Sequence, residues 1–179
     1  SGTTSWQFYS NGAAACSVVS AGPCGRAGRV NVSGTGSNIQ LYQLNVTLTS
    51  GDTYRLSFDG RSASGRDVTL YVHRHTSPYT DYGVNGVSVD LTSAWQRHAV
   101  TFTAQNVTST NGRLRIAFSS VDDFYFDNVT LMPLAGGGQQ LTCYSYVGNL
   151  VGHEGEGSVL SQLKAEGLAE GATGRSPSW

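Results

Sequence analysis

Tyr71 and His73 stand two residues apart in Val68-Thr-Leu-Tyr71-Val-His73-Arg74, and the chain continues through His75, Tyr79 and Tyr82 in Thr76-Ser-Pro-Tyr79-Thr-Asp-Tyr82-Gly83. In a strand, successive side chains point to opposite faces. Val68, Leu70 and Val72 therefore claim one face, while Thr69, Tyr71 and His73 take the other. Rings with polar tips on a face the core does not use allow two kinds of chemistry. His73 and His75, at i and i+2, put both imidazoles on one side and could hold a metal, but no carboxylate or third histidine lies near them in sequence. The alternative is a flat, hydrogen-bonding surface suited to a ring-shaped, hydroxyl-rimmed ligand such as a sugar. The plainest reading is that Tyr71 is simply a good strand former.

Hydrolysis of a glycosidic bond requires two carboxylates facing each other across a cleft. Every glutamate (Glu154, Glu156, Glu166, Glu170) and the only lysine, Lys164, follow the Gly136-Gly137-Gly138 run. Before it the acids are all Asp, placed mainly where turns are expected: Asp52, Asp59, Asp81, Asp90, Asp122 and Asp123. Asp67 is an exception without an identifiable partner. No Gly-X-Ser-X-Gly elbow follows a strand and opens a helix. The chain does not read as an enzyme, although a small polysaccharide lyase using Tyr and His stays open as an alternative.

The elements that must hold these residues are strands. The 179 residues carry only 13% charged residues and a net charge of −1, which excludes a broad basic field for nucleic acid. No apolar run approaches the roughly 20 residues needed to cross a bilayer. Short alternating segments recur between turn signals: Trp6 to Tyr9, Ala14 to Val19, Gly28 to Val32, Asn38 to Thr49 with a bulge near Gln43, and Tyr54 to Phe58. Arg66 to His75, Val87 to Leu91, Val100 to Phe102, Leu114 to Phe118 and Phe124 to Leu131 follow. This pattern predicts an all-β fold, an antiparallel β-sandwich jelly roll with a short C-terminal tail. The sandwich is expected over 1–135. Residues 136–179 read as a Gly-rich linker and tail, a remnant of an adjoining domain, with one helix candidate from Ser158 to Glu170.

Cys16 and Cys24 flank Ala21-Gly22-Pro23, a turn that predicts a disulfide between them; two buried free thiols are the alternative. A bridge implies an oxidising, extracellular compartment and leaves Cys143 over. Four Asn-X-Ser/Thr triplets, at Asn31, Asn45, Asn106 and Asn128, read as strand chemistry in a Thr-rich β protein.

In order and spacing, Asn38-Ile-Gln40-Leu-Tyr42-Gln43, Gly51-Asp-Thr-Tyr54-Arg-Leu-Ser57-Phe58, Ser77-Pro-Tyr79-Thr-Asp-Tyr82-Gly83, Leu91-Thr-Ser-Ala-Trp95-Gln96 and Phe126-Asp127-Asn128-Val129-Thr130-Leu131 resemble carbohydrate-binding modules of the group including families 4, 9, 16 and 22. The resemblance spans about Trp6 to Leu131. It implies a secreted, non-catalytic jelly roll that binds a β-glycan chain in a cleft, with β-1,4-glucan or related β-glucans first and xylan next, and that targets an attached glycoside hydrolase. The implied ligand set is Trp6, Gln40, Tyr42, Gln43, Tyr71, His73, Tyr79 and Tyr82, with Trp95 in the core. A structural calcium, frequent in that group, maps onto Asp127. The group's opening Asn-Gly-X-Phe-Glu element and its acidic ligand are not found here, so the alternative role for Asp127 is to bind nearby backbone amides. A structural or adhesive sandwich domain contacting a protein is the competing reading from another class.

Overall fold

The computed structural model describes residues 6–134. The tail, its helix candidate and Cys143 lie outside the described residues. Ten strands follow in order: β1 (Trp6–Ser10), β2 (Ala13–Gly22), β3 (Gly25–Gly34), β4 (Ile39–Val46), β5 (Thr53–Ser62), β6 (Val68–Arg74), β7 (Asp81–Val89), β8 (Gln96–Thr103), β9 (Gly112–Phe118) and β10 (Asp122–Pro133). They form two antiparallel five-stranded sheets, ordered β1-β4-β9-β6-β7 and β2-β3-β10-β5-β8. The expected antiparallel sandwich is what the chain forms.

Alternation builds the core. From the first sheet come Ile39, Leu41, Val68, Leu70, Val72, Leu114, Ile116 and Phe118; from the second come Val30, Leu56, Phe58, Phe124 and Phe126. Phe118 bridges the layers, with its ring centroid 4.9 Å from that of Phe124 and 5.9 Å from that of Phe126. Burying an apolar side chain of this size is worth about 1.5–3 kcal/mol, so the interior fixes which face of each strand is left outward.

Four sequence expectations need correction. β7 begins at Asp81 and not near Val87, because its alternation is broken by glycines in left-handed backbone, Gly83 (φ 119) and Gly86 (φ 74). The bulge in β4 falls between Leu44 and Val46, at Asn45 (φ 58), and not at Gln43. Trp95 is not in the core. Its indole Nε1 donates to the Ala21 carbonyl (3.2 Å) and its ring meets that of Tyr125 on the outside of the second sheet. The Cys16–Cys24 bridge is not formed: Cys24 is disulfide-bonded, and Cys16 is a free thiol. Cys16 lies opposite Val30 and packs against the core, where burial pushes its thiol up to about 11 and leaves it unreactive.

The triplet asparagines divide. Asn31 lies in β3 and donates to Asp123, and Asn128 is buried in β10. Asn106 falls beyond the end of β8 in left-handed backbone, outside any strand.

Gly83 and Gly51 both sit at positive φ, yet only Gly83 is hemmed in. A Cβ there would lie 2.5 Å from the Thr103 carbonyl oxygen, whereas one on Gly51 (φ 93) meets nothing within 4 Å. We expect Gly83→Ala to cost clearly more than Gly51→Ala, well beyond about 1 kcal/mol, in urea unfolding. Equal losses would show that the close approach is relaxed in solution.

Candidate functional site: the outer face of the first sheet

β9 lies between β4 and β6, and directly paired residues of an antiparallel ladder share a face. Following the register outward from Arg115 gives one continuous row across the sheet: Gln7, Tyr42, Arg115, Tyr71, Asn85. A second row runs Tyr9, Gln40, Ala117, Thr69, Ser88, and a third joins Leu44, Arg113 and His73. All lie opposite the core residues of the same strands.

The rows are tied together by stacking and hydrogen bonds. The Arg115 guanidinium carbon is 4.6 Å from the Tyr71 ring centroid, and that of Arg113 is 5.4 Å from the Tyr42 centroid. The His73 ring lies edge-on to Tyr71 (6.3 Å) and to Tyr79 (6.0 Å). Tyr79 stands at the rim, 58% exposed. Its backbone is left-handed (φ 56) and is closed by its N–H donating to the Thr76 carbonyl (2.9 Å). A bulky side chain in that region costs about 1–2 kcal/mol, so the turn holds the ring outward against a local preference.

Two polar groups are buried within the face. Gln40 is 5% exposed; its Nε2 donates to Asn38 Oδ1 (3.0 Å), while its Oε1 has no partner. His73 Nδ1 lies 2.6 Å from the Arg74 carbonyl, which can only accept, so Nδ1 carries the proton. Nε2 is then an acceptor for the Arg113 guanidinium at 3.1 Å. Burial lowers the His73 pKa, the neighbouring positive charges of Arg113, Arg115 and His75 lower it further, and only the Arg74 carbonyl opposes them. The imidazole is therefore neutral at pH 7.

Of the expected ligand set, the structure brings Gln40, Tyr42, Tyr71, His73 and Tyr79 together. Trp6 and Tyr82 do not belong there, since both lie in the core. Gln43 pairs with Trp6 and Leu114 and so shares their inward face. Trp6 and Tyr82 are aromatic, but parity and not residue type decides their side. Arg113, Arg115, Gln7, Tyr9 and Asn85 were not expected. Alternation in Arg113-Leu-Arg115-Ile marks the two arginines as outward, but the placement of β9 beside β6 is not visible in sequence.

Asp127 sits on the other sheet. Its Oδ1 accepts the Asn128 N–H (2.8 Å) and its Oδ2 the Cys24 N–H (3.2 Å). Neighbouring Asp59 is engaged by Asn128 Nδ2 and by Arg97 (3.4 Å). Calcium takes six to eight oxygen ligands, more than the side chains of Asp127, Asp59 and Asn128 supply, although Asn128 Oδ1 is buried without a hydrogen-bond partner. Asp127 acts as a backbone clasp closing the β2–β3 turn onto β10. Among the described residues no group of three or more His, Cys, Asp or Glu side chains is placed to hold a metal, and His73 and His75 are no exception.

A β-sandwich whose open sheet face carries rings, a carboxamide and guanidiniums has the groups that a sugar-binding surface uses. The chain is a member of the CBM_4_9 carbohydrate binding domain family, whose model matches residues 1–123. A CBM4 domain is similar in structure at 24% identity and TM-score 0.58, covering 72% of this chain and 86% of that one. So is the N-terminal cellulose-binding domain of Cellulomonas fimi β-1,4-glucanase C, at 18% identity and TM-score 0.55, covering 74% and 90%. The CBM22-1–GH10 modules of Clostridium thermocellum xylanase 10B, complexed with xylohexaose, match at 19% identity and TM-score 0.55, covering 72% of this chain and 26% of that one. A comparison with curated protein sequences found no match.

A depressed histidine pKa means that the unfolded chain binds the proton more readily. The corresponding stability is complete above pH 6.5, the ordinary histidine value, and is lost as the pH falls below it. His75 and His98 are lowered too, chiefly by burial, and act in the same direction. We expect the unfolding free energy to decline between pH 7.5 and 5.5, and His73→Gln to flatten that decline. A pH slope unchanged by the substitution would remove His73 from this role.

Proposed function

We propose that the chain is a non-catalytic carbohydrate-binding module that holds a single β-glycan chain along the outer face of the first sheet and keeps an attached, secreted polysaccharide-degrading enzyme near its substrate. The observation that carries this reading is the Tyr42–Arg115–Tyr71 row beside the unpartnered Gln40 Oε1, with Tyr79 raised at the rim. Family membership supports glycan binding. β-1,4-Glucans or related β-glucans, with xylan next, are the ligands favoured by the likeness to cellulose-binding and xylohexaose-bound neighbours.

A pyranose presents an apolar face of C–H groups and a rim of hydroxyls. A tyrosine ring offers a flat, low-entropy surface to the face and a polar tip to the rim. The Gln40 Oε1 has no hydrogen-bond partner and is shielded from solvent, so a sugar hydroxyl would satisfy it once the carboxamide turns outward. Each hydrogen bond exchanged with water contributes only about 0.5–1.5 kcal/mol, leaving stacking to supply much of the rest. Two or three platforms, after ordering costs, give roughly −5 to −7 kcal/mol, a Kd of about 10–200 μM. Weak binding suits targeting, because the tethered enzyme stays near polymer without being trapped.

The same geometry speaks against a lyase or hydrolase. His73 is 6% exposed and both its ring nitrogens are engaged, so it orients Arg113 and is not free to act as a base. On β1, β4, β9 and β6 no outward position carries a carboxylate, and edge strand β7 offers Asp81 alone in register with His73, so no facing pair of acids is formed by these strands.

Affinity electrophoresis against β-glucan, xylan and mannan gels tests the reading. Retardation in at least one gel is expected, and Tyr79→Ala should weaken it roughly tenfold, equivalent to 1.4 kcal/mol, without changing the thermal midpoint. A wild-type chain that migrates freely in every gel would sink the proposal.

A further inference from the structure

On the outer face of the first sheet, the charges carried by the inner strands β4, β9 and β6 are of one sign. Arg113 and Arg115 occupy alternate positions of β9, both half-buried, and His73 faces Arg113 across the ladder. The ion pairs with short contacts among the described residues, Arg29–Asp123 and Arg97–Asp59, both lie on the opposite sheet. On the candidate face the one acid in register is Asp81, opposite His73 on edge strand β7. Its oxygens accept the Gly83 N–H (2.8 Å) and the Gln105 Nε2 (3.0 Å), not a guanidinium. Arg115 Nε is buried with no hydrogen-bond partner. Arg113 is lowered by burial and then by the like charge of Arg115, with nearby Tyr42 and Tyr79 opposing.

Two guanidiniums drawn partly out of water, side by side and without a carboxylate, are an uncompensated arrangement. The guanidinium carbons lie over the Tyr42 and Tyr71 rings, at 5.4 Å for Arg113 and 4.6 Å for Arg115. Arg113 directs Nε and Nη2 to His73 Nε2 (3.4 and 3.1 Å), which leaves its Nη1–Nη2 edge for an outside planar acceptor, and Arg115 has no hydrogen-bond partner on its Nε. A neutral hydroxyl answers one donor at a time and returns no charge. An oxyanion answers both.

We infer that this face selects an anionic glycan, one whose sugar carries a uronate carboxylate received by Arg115 and Arg113 between the tyrosine platforms. The inference rests on the glycan-binding reading and narrows it from neutral β-glycans to acidic ones. The carboxylate is favoured over a sulfate ester because the planar fork of a guanidinium matches the two coplanar oxygens of a carboxylate. His73, neutral and accepting from Arg113 Nε and Nη2, orients that guanidinium without adding a competing negative charge.

Titration calorimetry of the full chain distinguishes the alternatives, using a β-linked polymannuronate, the same polymer with its carboxyl groups reduced to alcohols, glucuronoxylan, a neutral arabinoxylan, a neutral β-glucan and a sulfated galactan. A charge-assisted bidentate contact corresponds to roughly tenfold or more in affinity. The polyuronate or glucuronoxylan should therefore bind at least about tenfold more tightly than the neutral polymers. That preference should vanish on carboxyl reduction, weaken as sodium chloride is raised, and collapse in Arg113→Gln/Arg115→Gln.

Equal or tighter binding of the neutral polymers would overturn the acidic-ligand inference and leave the glycan-binding reading standing. Binding of the sulfated galactan alone would overturn the carboxylate assignment. Binding of nothing would overturn the underlying reading itself. The carboxyl-reduced polymer keeps the test decisive even if the double variant fails to fold, since it changes only the ligand.

Discussion

The candidate face depends on the pairing of β9 between β4 and β6. In a strand the side-chain period is two, so a shift of one residue would exchange the faces. Leu114, Ile116 and Phe118 are buried at 3% exposure or less. Turning them outward would forfeit several kcal/mol of burial, and Arg113 and Arg115 would have to enter the core in exchange. The register that aligns Arg115 with both Tyr42 and Tyr71 is thus enforced from behind by the interior. The recognition surface needs no independent device to assemble it.

The polar groups in that surface are largely held before any ligand arrives. The carboxamide of Gln40 is tethered through its Nε2 to Asn38, and the His73 tautomer is set by the Arg74 carbonyl. Arg113 is held by His73 Nε2 and by the Tyr42 ring, Arg115 by the Tyr71 ring. Ordering long side chains on binding costs about 0.5–1.5 kcal/mol each. Stacking and buried hydrogen bonds meet part of that cost during folding. A shallow face can then retain a weak ligand without deep enclosure.

Much of this was legible in the sequence, and the gaps have definite causes. Alternation at Val68-Thr-Leu-Tyr71-Val-His73 put Tyr71 and His73 outward, and the ladder agrees. Parity also separates Gln40 from Gln43, but only once the inward assignment of Ile39 and Leu41 is known. Tyr82 escaped because Gly83 and Gly86 interrupt the period of two in β7. Trp95 misled because its size suggests a core residue, whereas it covers the second sheet from outside beside Tyr125. The pairing of Cys24 with a partner other than Cys16 involves contacts that no local spacing encodes. Arg113 and Arg115 were marked as outward by their own strand, but their meeting with Tyr71 and Tyr42 depends on strand order, which a single sequence does not carry.

The two outward faces of the sandwich use arginine differently, and the difference bears on which one meets a ligand. On the second sheet Arg29 makes hydrogen bonds of 2.9–3.0 Å with Asp123, and Arg97 contacts Asp59. Arg61 there is covered by Tyr125 (3.9 Å) and Trp95 (5.6 Å), whose indole is itself committed to Ala21. Aspartates interleave with the arginines, and the charges are largely answered within the molecule. On the first sheet the arginines stack on tyrosines as well, yet no carboxylate is interleaved. Stacking orients a guanidinium but does not neutralise it. Arg113 and Arg115 have no carboxylate contact among the described residues, so an oxyanion arriving at the first sheet's face would meet two adjacent like charges.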